Sequence, residues 1–134
     1  MHDHLWLVID HDNRKTKELA GFSKFAKQKG FNLAISNPCF ELWMLLHFEY
    51  LSTATPNRCK EIADNKNDFI KKELGKLHDN EPDLGIRFAN LYFPNLELAI
   101  QRAEKLLPFC NTAYWPSSLG TWVYPLIKIL LHLT

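Results

Sequence analysis

The sequence has few of the residues that stabilise small disulfide-bonded or zinc-binding domains. Its 134 residues include three cysteines, Cys39, Cys59 and Cys110, which are scattered and form no CxxC pair. An odd number of isolated cysteines provides neither a disulfide framework nor a structural zinc site. We therefore expect a reduced, cytoplasmic protein.

The chain also lacks a strong charge of either sign. Sixteen basic against fifteen acidic residues leave a formal net charge of +1, so global electrostatics does not favour nucleic-acid binding. Positive charge is concentrated only locally. A solvated helix face is the usual explanation for such groups of basic residues, here Arg14, Lys15, Lys17, Lys24, Lys27 and Lys29, and then Lys71 and Lys72.

Long hydrophobic runs are absent as well. No apolar stretch reaches the roughly 20 residues that a membrane-spanning helix needs, and the N-terminus does not have the pattern of a signal peptide. With 46% hydrophobic residues, the chain is long enough for one domain with a hydrophobic core and short for two. We expect one soluble domain over residues 1–134.

The first third of the chain predicts a strand, a helix and a second strand. Residues 5–9 are apolar throughout, which is typical of a strand buried on both faces of a sheet. Residues 16–29 carry apolar positions at helical spacing and are followed by Gly30, a common helix terminator. With a second strand at residues 31–35, this βαβ pattern predicts an α/β fold with a short parallel sheet.

The remainder of the chain is predicted to be mostly helical. Residues 75–85 are polar and are predicted to form a loop, and Pro125 is expected to bend or delay the last helix. The helices are predicted at residues 58–74, 84–93 and 95–107, and after residues 116–118.

Polar side chains follow both predicted strands where each strand ends. Because parallel strands end at the same edge of a sheet, we expect Asp10, Asp12, Ser36 and Asn37 to lie together there. Asn37 suits the N-cap of a helix and Pro38 its first position, so a helix is predicted to begin at Pro38.

Glu41 is an acidic residue in the otherwise apolar run of residues 38–48. A buried carboxylate is costly unless it is compensated, and the first turns of a helix favour negative charge. Glu41 is therefore expected near the same sheet edge. The open alternative is a helix-end charge bonded to backbone N–H groups or to a nearby lysine.

Asp10 and Asp12 predict a metal site. Carboxylates just past a strand can bind one hard cation, and Mg²⁺, or Mn²⁺ in its place, prefers oxygen ligands and keeps several waters. We predict metal binding by Asp10 and Asp12 and a catalytic role for both and for Glu41. A solvated acidic turn, or the cap of the following helix, is the alternative.

Basic and polar residues beside this edge are the predicted substrate contacts. Arg14 and Lys15 are placed to contact a phosphate, although a solvated loop explains them equally well. Ser36 and Asn37 are further candidates for substrate binding. Cys39 is near a predicted helix N-terminus, which can lower a thiol pKa, but no base is apparent beside it.

Two sequence blocks resemble the RloB family of bacterial proteins: LWLVIDHDN at residues 5–13 and AISNPCFELWMLLHFE at residues 34–49. The resemblance continues more loosely through NLELAIQRAEKL and PSSLGTWVYPLIKIL, so it covers most of the chain. RloB proteins are assigned to the Toprim superfamily of topoisomerase, primase and OLD-type nuclease domains. They are associated with restriction loci and abortive-infection phage defence.

The resemblance implies a single RloB-like domain with a Toprim-like fold and a nuclease activity. The fold would be a partial Toprim-like (Rossmann-like) core over about residues 4–51 and a helical portion over about residues 57–134. The activity would be a Mg²⁺-dependent nuclease acting on DNA or RNA phosphodiesters, centred on Asp10 and Asp12. Glu41 has no counterpart in the Toprim motif and is a candidate from its environment alone.

One departure from the Toprim pattern concerns a catalytic glutamate. Toprim domains carry it at the end of an earlier strand, whereas this sequence starts at the strand that precedes Asp10, and Glu18 lies on the following helix. We therefore expect a truncated reading frame, a fragment or a degenerate copy, and nuclease activity of the isolated chain stays open.

Two other functions stay open from the sequence. The first is a catalytically inactive nucleic-acid-binding or assembly module. The second is a haloacid-dehalogenase-type phosphatase with Asp10 as nucleophile and Asp12 as acid/base, although that motif expects Thr or Val where Arg14 stands. An exposed sheet edge also predicts a homodimer, with a defence-system protein as the other candidate partner.

Overall fold

Two parallel strands joined by a helix form the N-terminal part of the molecule. The computed structural model describes residues 4–79, 87–108 and 115–133. Strand β1 (Trp6–Asp10) leads into helix α1 (Thr16–Lys29), which ends at Gly30 with φ 74°, a conformation that favours glycine. Strand β2 (Asn32–Asn37) then pairs with β1 in parallel. The predicted βαβ unit and α/β fold are confirmed.

A third strand completes the described sheet. Strand β3 (Gly120–Thr121) pairs antiparallel with the end of β2, opposite Ser36 and Asn37, so the strand order is β1-β2-β3. The sequence did not predict β3, because two residues are too few to show a strand period.

Strand β1 lies at the edge of this sheet and is only partly buried. Val8 is 50% exposed, whereas Ala34 and Ile35 of the central strand β2 are buried. The prediction that residues 5–9 are buried on both faces is wrong, because within the described residues β1 has one neighbouring strand and an uncovered face. Homodimerisation through this edge stays a prediction.

The rest of the described chain is helical. Short 3₁₀ turns lie at Leu51–Thr53 and Phe93–Asn95. None of the described helices combines the length and the apolar character that crossing a bilayer requires. The helices are α2 (Glu41–Leu45), α3 (Pro56–Asp64), α4 (Phe69–Leu77), α5 (Arg87–Tyr92), α6 (Leu96–Leu106) and α7 (Tyr124–Leu133).

Two helix predictions differ by more than a small shift of one end. The helix expected to begin at Pro38 begins at Glu41, because β2 runs on to Asn37, whose side chain bonds the Pro116 carbonyl instead of capping the helix. The single helix expected over residues 58–74 is divided into α3 and α4. Asn65 ends α3 with φ 45°, a backbone that asparagine tolerates, and its side chain accepts a hydrogen bond from the N–H of Ile70.

The remaining predicted helices are present in the described residues, with ends shifted by a few residues. Helix α4 ends at Leu77 rather than before residue 75, and the rest of the loop predicted there falls mostly outside the described residues. Residues 84–86 of the next predicted helix also lie outside them. Helix α7 begins at Tyr124, so Pro125 is in its first turn and the helix is delayed as expected.

The core is built around α2, a helix of only five residues. Leu42, Leu45 and Leu46 are fully buried, and Trp43 is 5% exposed. They pack with buried side chains of α3, α4 and α6 and of the segment after β3. Phe40, just before α2, is 36% exposed and lies outside this core.

A buried pair of hydroxyl groups joins β2 to β3. Ser36 Oγ and Thr121 Oγ1 are 2.7 Å apart, and both side chains are almost inaccessible to solvent. Thr121→Val removes one partner and leaves the Ser36 hydroxyl buried without its bond, so we expect unfolding to become about 1–3 kcal/mol easier. Urea denaturation measures this. The double variant Ser36→Ala/Thr121→Val should lose less unfolding free energy than the sum of the losses in Ser36→Ala and Thr121→Val. Losses that simply add would contradict this coupling.

Candidate functional site

The turn after β1 is bonded to the residues that end and follow β2. Asp10 is the register partner of Ser36. Beyond it, the N–H of His11 donates to the Ser36 carbonyl at 2.8 Å, and the N–H of Asp12 donates to the Pro38 carbonyl at 2.8 Å. These bonds bring the chain around Asp10 and Asp12 to the same sheet edge as Ser36 and Asn37.

The Asp10 carboxylate is bonded to the backbone just before α2. Its Oδ1 accepts a hydrogen bond from the N–H of Phe40 at 2.7 Å. Hydrogen bonds to an ionised acceptor are short and strong, and a carboxylate also complements the positive end of a helix. Asp10 therefore links β1 to α2 across 30 residues of sequence. Sequence reasoning missed this contact, because the spacing between Asp10 and Phe40 carries no local signal.

Glu41 is the first residue of α2 and lies directly after the peptide that Asp10 binds. Its side chain is 23% exposed, and its Oε1 is 3.8 Å from Lys71 Nζ. Lys71 is 63% exposed, so this long ion pair contributes at most about 1 kcal/mol. A nearby lysine was the open alternative for Glu41, and Lys71 is such a lysine.

Cys39 is near enough to the carboxylates of Asp10 and Glu41 for both charges to act on its thiol. The pKa of the Cys39 thiol is raised to about 12. Burial is the main cause, and the negative charges of Glu41 and Asp10 also contribute. The sequence suggested the opposite direction, a pKa lowered by a helix N-terminus. That suggestion fails because the thiol is desolvated beside negative charge.

Asp12 supplies the second carboxylate of the predicted metal pair. It is exposed and has φ 46°, a conformation that aspartate tolerates. Together with the oxygen of Asp10 that Phe40 leaves open, it offers the hard oxygen donors that Mg²⁺ prefers, so the donor chemistry fits that ion. The described residues contain no group of three His, Cys, Asp or Glu side chains that could hold a metal. Any ion here would keep most of its waters.

The two basic residues after this pair are exposed at the start of α1. Arg14 Nε donates to the Asp10 carbonyl at 3.1 Å, its Nη1 is 3.4 Å from Glu18, and its guanidinium lies over the Phe22 ring. Lys15 is at the N-cap position of α1. These contacts hold Arg14 beside Asp10. The remaining N–H groups of the Arg14 guanidinium are the ones predicted to contact a phosphate.

The two polar residues at the end of β2 have partners inside the fold. Ser36 is bonded to Thr121, and Asn37 Nδ2 donates to the Pro116 carbonyl at 3.1 Å. Both side chains therefore hold β2 against the segment around β3. Substrate binding by Ser36 and Asn37 stays a prediction.

The sequence matches the family model for RloB-like proteins over residues 1–130. The chain belongs to the RloB-like family. No curated protein and no solved structure matches it. In this RloB-like chain the sequence blocks at residues 5–13 and 34–49 meet at one place, since Asp10 of the first accepts a hydrogen bond from the Phe40 N–H of the second.

Substitution of Asp10 should separate its structural role from its charge. Asp10→Ala removes the acceptor for the Phe40 N–H, and we expect a loss of about 1–3 kcal/mol in unfolding free energy. Asp10→Asn keeps an acceptor oxygen and should lose less. Urea denaturation of both variants measures the difference, and equal losses would contradict the assigned hydrogen bond.

Alkylation should distinguish the two described cysteines. Because its pKa is raised to about 12, the buried Cys39 thiol forms very little thiolate, so it should react with iodoacetamide far more slowly than the partly exposed Cys59. Peptide mass spectrometry at pH 8 measures both rates. Glu41→Gln should speed the Cys39 reaction only slightly, because burial, the main cause, remains. Comparable rates for Cys39 and Cys59 in the unaltered chain would contradict this account.

Proposed function

We propose that this RloB-like chain binds Mg²⁺ or Mn²⁺ through Asp10 and Asp12 and acts on nucleic-acid phosphodiesters as a Toprim-type nuclease domain in phage defence. Family membership supports at most the defence association. The nuclease and metal parts rest on the arrangement of charged groups at the carboxyl edge of β1 and β2. Glu41 would be the additional acidic participant, and Arg14 and Lys15 the phosphate contacts.

The observation that carries this proposal is the bond between Asp10 Oδ1 and the Phe40 N–H. It fixes the orientation of the Asp10 carboxylate and places Glu41 one residue beyond the bonded peptide. A fixed carboxylate binds a cation without paying to become ordered, which is the general advantage of a preorganised site. Asp12 follows on a turn that is itself held by the Pro38 carbonyl.

Each residue at the edge has a chemical task in this proposal. Asp10 and Asp12 would hold the cation, which supplies charge stabilisation for a scissile phosphate and its leaving oxygen. Arg14, already bonded to the Asp10 carbonyl, would orient a neighbouring phosphate. Glu41 is close enough to Cys39 to act on the thiol pKa, and its negative charge adds to the field that attracts a cation.

A second candidate function is a catalytically inactive nucleic-acid-binding or assembly module. Two observations favour it. The described residues hold no three-ligand metal group, and Glu41 is already paired with Lys71. In that case Asp10 would serve the fold through Phe40, and the chain would act through binding alone.

Calorimetry with MnCl₂ tests the metal site directly. We expect the unaltered chain to bind Mn²⁺ and Asp12→Asn to bind it at least about tenfold more weakly, because one of two charged ligands is lost. Asp68→Asn is the matched control, since Asp68 is also exposed with a positive φ, 57° against 46° for Asp12. It should bind Mn²⁺ as the unaltered chain does.

The outcomes separate the two candidate functions. Mn²⁺-dependent cleavage of a labelled oligonucleotide that Asp12→Asn abolishes would support the nuclease. Mn²⁺ binding without cleavage would favour the inactive module. The proposed metal site would be wrong if the unaltered chain did not bind Mn²⁺. It would also be wrong if Asp12→Asn and Asp68→Asn lost the same Mn²⁺ affinity.

A further inference from the structure

We propose that the cavity between α1 and Trp115 binds one strand of single-stranded nucleic acid, with Trp115 stacking on a base and Lys24 and Lys27 contacting phosphates. This inference rests on the proposed function and adds a substrate-holding surface to it. The surface lies away from the carboxylate edge and includes none of the predicted site residues.

The cavity has the mixed lining that such a ligand needs. Its volume is about 340 Å³, and it is lined by Ala20, Ser23, Lys24, Lys27 and Trp115. Trp115 is partly buried, while both lysines are exposed. An indole face beside two ammonium groups matches the two parts of a nucleotide, a flat base and a charged phosphate.

The charge pattern of α1 points to the same side. Lys24 and Lys27 are three residues apart and Lys17 is seven before Lys24, a spacing that places all three on one helix face. Glu18 is the acidic residue of α1, and it is paired with Arg14. The lysine face therefore keeps a local positive charge in a chain whose formal net charge is only +1.

The comparison with another cavity favours this assignment. A cavity of about 220 Å³ around Tyr92 is lined by Phe40, Phe88 and other apolar or aromatic residues, and no lysine or arginine is among the described residues that line it. It offers stacking surfaces without a phosphate partner. The cavity at Trp115 provides both.

Single strands fit this cavity better than duplexes. Bases in a duplex are already stacked on one another and do not present a face to a protein side chain, whereas unpaired bases stack readily on aromatic rings. One tryptophan and two lysines provide for about one or two nucleotides. The proposed occupant is thus a short stretch of one strand.

Both walls of the cavity, Trp115 and helix α1, are joined through the chain to the carboxylate edge. Trp115 directly precedes Pro116, whose carbonyl accepts the hydrogen bond from Asn37 at the end of β2. Helix α1 begins just after the turn at Asp12, and Lys24 is eight residues into it, about 12 Å along the axis. A strand held at Trp115 would therefore reach the edge within a few nucleotides.

Fluorescence anisotropy with fluorescein-labelled oligothymidylate of 12 nucleotides tests this surface. Measurement in EDTA removes any contribution of a metal or of cleavage. We expect Lys24→Gln/Lys27→Gln to weaken binding at least about tenfold and to reduce the salt slope by about 0.7 per lysine, the value for single strands. Lys29→Gln is the matched control on the same helix, outside the cavity lining, and should change binding less than threefold.

Substitution of Trp115 tests the stacking contact. Trp115→Leu should weaken binding at least about fivefold with an unchanged salt slope, and Trp115→Phe should retain most of the affinity, because phenylalanine keeps an aromatic face. Circular dichroism of each variant checks that the fold is intact, and the lysine variants test the surface independently if Trp115→Leu is unstable.

Three results would overturn the inference. The first is that the unaltered chain does not bind oligothymidylate. The second is an equal loss of affinity in Lys29→Gln and in the double lysine variant. The third is an equal affinity of the unaltered chain for oligothymidylate and for a 12-base-pair duplex. Asp12→Asn should keep its oligonucleotide affinity in EDTA. An unaltered chain that binds oligothymidylate in EDTA but binds no Mn²⁺ would count against the proposed function alone. An unaltered chain that binds Mn²⁺ but no oligothymidylate would count against this surface alone.

Discussion

The hydrogen bond from the Phe40 N–H to Asp10 Oδ1 is the contact on which the arrangement of the candidate site depends. Helix α2 has only five residues, and so short a helix is not stable by itself. Its buried side chains, with Leu42 and Leu45 fully covered, fix one side of it in the core. Asp10 fixes its start, and thereby the position of Glu41, relative to the strand ends.

If the proposed metal site is correct, Asp10 would serve two purposes that compete for the same carboxylate oxygens, the hydrogen bond to Phe40 and the cation. A carboxylate oxygen that accepts a backbone N–H has less capacity left for a cation, but the bond also holds the group in one orientation. Asp12 does not have this conflict, since it is exposed and its turn is held through its backbone. Loss of charge at Asp12 therefore reports on ligand binding, whereas truncation of Asp10 affects the fold as well.

The sequence predicts those parts of the fold that depend on local patterns. Helix α1, its end at Gly30 and the parallel pairing of β1 with β2 follow from hydrophobic periodicity and chain order, and these place Asp10 and Asp12 beside β2. The start of α2 was wrong because Asn37, a good cap by type, stays in β2 and bonds Pro116, 79 residues away. The Ser36–Thr121 and Asp10–Phe40 contacts span 85 and 30 residues of sequence, so no local pattern could indicate them.

An acidic edge and a basic helix face coexist in a chain of almost zero net charge because distance and salt separate them. Lys24 lies eight residues beyond Thr16, the first residue of α1, and this helix rise of about 12 Å exceeds the Debye length of about 8 Å at physiological ionic strength. The lysines therefore neither neutralise the carboxylates nor lose their own attraction for anions. A polyanion long enough to span both regions could contact the lysines while presenting a later phosphate to a cation at the edge. The near-neutral composition is thus compatible with nucleic-acid binding, provided that the binding is local.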